Sequence, residues 1–147
     1  MKTYLIDTGP LVAYLDSRDP AHPQVVPHLD RFTGSLATTS AVITEAMHFV
    51  STTRAGARLL GELVVASGLE VYDLCRPPEL DAVVGLMEKY ADTPMDFADA
   101  TLVLLGEALG LHDILTLDRR GFSTFRTRPG KAFRLVLDPP HPGRRRR

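Results

Sequence analysis

Residues 4–10 read YLIDTGP, and two folds compete for them. Asp-Thr-Gly is the triplet that carries the catalytic carboxylate of aspartic proteases. A short apolar run closed by an acid is also how a buried parallel strand ends. The protease reading needs two such triplets sharing one proton, a β-rich chain, and a small residue after the glycine. Here Pro10 follows Gly9, no second triplet exists, and the chain downstream is largely helical in pattern. Asp7 is therefore read as the acid at the end of a strand, with Thr8 and Gly9 in the bend and Pro10 opening a helix, where its missing N–H costs nothing.

Outward from this stretch, short apolar runs alternate with amphipathic helical ones, which predicts a parallel sheet with helices on both faces. The expected strands are residues 3–6, 35–38, 69–72, 113–117 and 134–137. Helices are expected over 10–15, 20–29, 42–50 (N-capped by Thr39 or Ser40), 56–66 (stopped by Gly68), 79–90 and 96–109 (ended by Gly110).

With 147 residues, the chain fits one domain that buries roughly 68 to 70% of its unfolded surface. The domain is expected over residues 1–138, followed by a solvated tail, 139–147, rich in Pro and Arg. A hydrophobic fraction of 44% and a charged fraction of 24% are ordinary for a globular protein. No apolar stretch approaches the ~20 residues of a membrane span. The start MKTYLIDTG meets an acid after three apolar residues, too soon for a signal peptide, so a cytoplasmic location is expected. The single cysteine, Cys75, can form neither an internal disulfide nor a CxxC metal site, and a reducing compartment agrees with that. The net charge of -1 hides an asymmetry: the chain ends in Arg144, Arg145, Arg146 and Arg147, and removing those four from its 17 basic residues leaves 13 against 18 acids. A body that binds nucleic acid by phosphate neutralisation alone would be basic, so any nucleic-acid reading must account for the acids.

Five acids fall where apolar periodicity says that the chain is buried or turning at a strand end. Asp7 and Asp118 close strands, and in a doubly wound sheet ligands bind beyond the carboxyl ends of strands. Glu45 interrupts an apolar helix face. Asp96 and Asp99 open a helix three residues apart, on one face, at the end whose dipole favours negative charge. Each also has a local structural reading: helix capping for Asp7 and Asp96, a partly exposed helix flank for Glu45, a turn cap for Asp118. Five carboxylates at one edge repel unless a cation joins them. An oxygen-only set with no Cys or His pair at ligand spacing selects a hard ion, Mg²⁺ or Mn²⁺, over zinc. Such an ion suits phosphoryl chemistry by a metal-activated water, and it lets an acidic pocket accept a polyanion.

The segments YLIDTGPLVAYLD, TTSAVITEAMHFV, MDFADATLVLLGEALG and ILTLDRRGF resemble, in order and spacing, the acidic motifs of the PIN domain, particularly the VapC-type toxins of bacterial toxin–antitoxin pairs. The resemblance spans residues 2–122. It implies a three-layer α/β/α sandwich with a central, mainly parallel sheet. It further implies a Mg²⁺- or Mn²⁺-dependent endoribonuclease, a hydrolase of RNA phosphodiesters, inhibited by a small cognate antitoxin. By position Asp7, Glu45, Asp99 and Asp118 match the catalytic, metal-binding acids, Asp96 the extra acid of some members, and Thr8 and Ser40 small polar positions lining the site. Gly121 stands where the family often has an acid or polar residue.

Arg119 and Arg120 beside the last acid, and the four terminal arginines, are candidates to contact phosphate. The competing class is a catalytically weak PIN-fold module that binds RNA or protein without cleaving. His48, three residues after Glu45, and Cys75 are read as surface or packing residues. The apolar positions of helices 42–50 and 59–64 are read as core, with a homodimer, or a larger hetero-oligomer with the antitoxin, as the other use for them.

Overall fold

The computed structural model describes residues 1–128 and 130–137; the expected Pro/Arg tail and its arginines lie outside them. Five strands form one all-parallel sheet: β1 (Thr3–Ile6), β2 (Ser35–Thr39), β3 (Glu70–Tyr72), β4 (Asp113–Leu115) and β7 (Arg134–Leu135), in the order β3-β2-β1-β4-β7. The central strand is apolar on both faces, with Leu5 and Ile6 fully buried, as a strand covered by helices on each side must be.

Strand order fixes the layers. The chain steps outward from β1 to β3 through α1 (Thr8–Leu15), α2 (His22–Arg31), α3 (Ser40–Val50) and α4 (Gly56–Ser67), which pack on one another. It then recrosses to the far side of β1 through α5 (Pro77–Lys89) and α6 (Phe97–Leu109), which pack together. Right-handed crossovers run in opposite directions place the two helix sets on opposite faces, giving the expected three-layer α/β/α arrangement. The order reverses beside β1, so the crevice between the ends of β1 and β4 is the place where such sheets bind ligands. The register Leu5↔Ile114 and Ile6↔Leu115, followed by a bond from Asp7 N–H to Leu115 O at 2.9 Å, brings Asp7 and the residues after β4 to that crevice.

The helix boundaries follow local chemistry. Thr39 N-caps α3 through Val42 N–H, and Gly68 and Gly110 end α4 and α6 at φ 66° and 67°. Five elements depart from expectation. Helix α1 begins at Thr8 under an Asp7 cap, so Pro10 sits in its first turn rather than opening it. The strand expected over 113–117 stops at Leu115: its carbonyl takes the Asp7 N–H, and the chain beyond turns into the Asp118 cap of the next helix. Beyond it lie α7 (Arg119–Phe122) and a hairpin of β5 (Arg126–Thr127) and β6 (Lys131–Ala132), none of them expected. These are too short to leave a periodicity. They are held by edge-to-face contacts of Phe122 with Phe125 and Phe133 and of Phe125 with Tyr90, and by the Arg128–Glu107 pair.

Candidate active site

The sheet and its helices bring all five acids, Asp7, Glu45, Asp96, Asp99 and Asp118, to one cleft of about 480 Å³ at the switch crevice. Asp7 arrives from the end of β1, Glu45 from the second turn of α3, Asp96 and Asp99 from the start of α6, and Asp118 from the segment after β4. A sixth acid, Asp19, also lines the cleft. Its place in the turn before α2, where its carboxylate accepts from Ala21 N–H at 2.9 Å, gave the sequence reading no signal beyond an ordinary turn. Thr8 lines the same cleft, whereas Ser40 lines the neighbouring cavity. Arg120 borders a smaller hollow on the outer side of Asp118; neither it nor Arg119 lines the acidic cleft.

Each acid is held by local bonds. Asp7, 7% exposed, accepts from Thr8 N–H at 2.8 Å and from the Thr116 hydroxyl at 2.8 Å. The same Thr116 oxygen accepts from Asp118 N–H at 3.0 Å, so one hydroxyl ties together two acids that are distant in sequence. Asp118 caps α7 by accepting from Gly121 N–H at 3.0 Å. A Cβ at position 121 would collide with the Asp118 carboxylate, so the departure at Gly121 gives that acid its room. Asp96 and Asp99 form a reciprocal capping box, with Asp99 N–H to Asp96 at 2.8 Å and Asp96 N–H to Asp99 at 3.2 Å. The capping roles weighed for Asp7, Asp96 and Asp118 are thus real; capping takes one carboxylate oxygen of each, and Thr116 takes the second oxygen of Asp7.

Crowding shows in the titration of the cleft. Burial pushes Asp7 from its ordinary 3.8 up to about 6, with the Asp96 and Glu45 charges adding and its two hydrogen bonds opposing. Burial likewise pushes Asp99 up to about 8, reinforced by the charges of Asp96 and Asp7. Glu45 is raised by burial and by Asp96, while the nearby Thr8 hydroxyl lowers it. That hydroxyl is buried yet meets no partner in good hydrogen-bond geometry.

These features fit a hard divalent cation in donor chemistry: the charged donors are all oxygen, no Lys or Arg is among the lining residues, and Thr8 Oγ1 is a buried oxygen without a partner. As they stand, no three acid, His or Cys side chains among the described residues are grouped closely enough to hold a metal ion. Like charges without a neutralising partner turn instead to the nearest N–H and O–H donors.

No protein-family model matches the chain. It is 33% identical over 134 residues to Ribonuclease VapC26 of Mycobacterium tuberculosis (strain ATCC 25618 / H37Rv), an alignment covering 90% of this chain and 98% of that protein. Its fold matches the crystal structure of M. tuberculosis VapC20, a sarcin-ricin loop cleaving toxin, with a TM-score of 0.72 at 13% identity, over 80% of this chain and 91% of that one. The second likeness is one of fold.

Proposed function

The chain belongs to the VapC family of PIN-type ribonuclease toxins, and from that premise we propose that it is a Mg²⁺- or Mn²⁺-dependent endoribonuclease whose site is the cleft of Asp7, Glu45, Asp96, Asp99 and Asp118. The observation that carries the reading is the convergence of five acids, from four separated segments, in one cleft lined by neither Lys nor Arg. Asp7, Glu45 and Asp99 would hold the ion as principal ligands, with Asp96 and Asp118 as further or water-bridged ones. A bound Mg²⁺ or Mn²⁺ supplies charge neutralisation at the phosphate and an activated water. The protein's own part is placement: Thr116 fixes Asp7 and the chain leading to Asp118, and the capping box fixes Asp99. The unpartnered Thr8 hydroxyl is placed to donate to whichever oxygen enters beside Glu45.

We further place the protein in the cytoplasm as the toxin of a pair with a small antitoxin, as a homodimer or a larger hetero-oligomer. Among the described residues no helix is long and apolar enough to cross a membrane. Exposed Phe49, Leu59 and Val65 on α3 and α4 supply apolar surface for such a partner. The test is cleavage of RNA by the purified full chain, freed of any co-purifying small protein, with Mg²⁺ or Mn²⁺ and with EDTA. Metal-dependent cutting lost in Asp99→Asn supports the proposal; RNA retained without cutting under every metal condition supports the binding module instead.

A further inference from the structure

A second cavity, about 570 Å³, opens beside the acidic cleft and shares Glu45 and Asp96 with it. It lies between the outer face of α3, the segment after β3 and the start of α6. We propose that it is a nucleobase subsite that receives the base next to the bond cut in the cleft, an inference that rests on the ribonuclease reading above. Continuity is the first argument: a group joined covalently to a phosphate at Glu45 and Asp96 is delivered to this cavity. Chemistry is the second. Beyond the two shared acids the lining holds no acid, Lys or Arg, so it offers nothing to a second phosphate. Ala41, Leu74, Phe97 and Ala98 give apolar walls, while Thr44 and His48 stand on one face of α3. A flat base with apolar faces and a polar edge has the same division, and the volume falls within the roughly 300–1,000 Å³ of small-molecule sites.

Polar capacity is the third argument. The Thr101 hydroxyl is already committed to Ala98 O at 2.7 Å and to Thr39 at 2.8 Å, so it belongs to the cavity floor. His48 meets Phe49 edge-on, and among the described residues neither of its ring nitrogens is hydrogen-bonded. It is thus the group best placed to read a base edge, as proteins read unstacked bases of single-stranded or looped RNA.

Cys75, the chain's one cysteine, is exposed in the wall of this cavity, so a thiol reagent addresses it alone. Fluorescein-maleimide labelling of the full chain is followed with and without a randomised single-stranded RNA pool in Ca²⁺. The labelled chain and a His48→Ala variant are then assayed for cleavage of the same pool in Mg²⁺, with the cut ends sequenced. Expected are slower labelling in the presence of RNA and kcat/KM lowered on the order of tenfold in the labelled chain, about what one stacked base is worth. His48→Ala is expected to relax sequence preference at one position adjoining the cut. Treated and untreated Cys75→Ser should behave alike. A labelling rate indifferent to RNA, or labelled and His48→Ala chains that cut with unchanged rate and preference, overturns the subsite and leaves the ribonuclease reading standing. Labelling slowed only by a partner protein overturns it as well. An unmodified chain that cuts no RNA fails the ribonuclease reading, and the subsite, defined by the bond cut, falls with it.

Discussion

Thr116 Oγ1 is the atom through which Asp7 and Asp118 are positioned together, donating to one carboxylate and accepting from the backbone of the other residue. Thr116→Val keeps the shape and removes both bonds. It should cost about 1–2 kcal/mol of stability by denaturant titration and lower cleavage roughly 10–100-fold, the usual effect of losing a ligand's supporting bond. Gly121→Ala forces the Asp118 carboxylate aside and crowds the buried Phe125 ring, so it should lower both cleavage and the melting temperature; unaltered cleavage would show that Asp118 is dispensable. Asp7 bears on stability as well as on chemistry. Its folded carboxyl titrates near 6 against 3.8 ordinarily, so between those values the folded state holds more protons than the unfolded one. The metal-free protein therefore loses stability as pH rises through that window, by about 3 kcal/mol from Asp7, and Asp99 extends the fall toward pH 8. Asp7→Asn should raise the melting temperature of the metal-free chain at pH 8 and reduce cleavage at least about 100-fold. A variant no more stable than its parent at pH 8 would contradict the assigned burial cost.

At the scale of elements, the long helices follow from capping and spacing, while the segment after β4 follows from packing. Helix α6 opens with a capping box and closes on a left-handed glycine, and between them Ala100, Leu102, Val103 and Leu105 are buried. The site acids Asp96 and Asp99 are thus attached to the best-buried helix. Helix α7 and the hairpin rest on Phe122, Phe125 and Phe133. Phe125→Ala removes a fully buried ring and should cost about 3–5 kcal/mol, and near-native stability in this variant would refute the aromatic anchor. In the turn before α4, Ala55 is the one described non-glycine residue at positive φ, 55°. Ala55→Gly relieves that strain at some cost in chain entropy, for a net gain of about 0.5 kcal/mol, with cleavage unaffected.

Across the whole molecule, the charge of the cleft would be coupled to metal binding. A cleft that lowers stability as its acids ionise should be stabilised by a divalent ion more strongly at pH 8 than at pH 5, where Asp99 and much of Asp7 are still protonated. Melting curves with and without Mg²⁺ at the two pH values check this, and an equal shift at both would place the ion elsewhere. A divalent ion held in the cleft would invert the local field and so reconcile the acidic body with a polyanionic substrate.

The sequence by itself determined the order of strands and helices over most of the chain, because burial periodicity, caps and stop glycines act within a few residues. It also placed Asp7, Asp96, Asp99 and Asp118 at strand ends or helix starts and Glu45 on an apolar helix face, since an acid that closes or interrupts an apolar run is visible locally. Only the tertiary structure decided that Asp19 joins their cleft, that Ser40 and His48 face a different cavity, and that Arg120 lies outside it. It also decided that Thr116 links Asp7 to Asp118. Those outcomes depend on the parallel register of β1 with β4 and on crossovers that bring distant segments to one crevice. Such register is set by long-range packing, which leaves no short-range pattern in the chain.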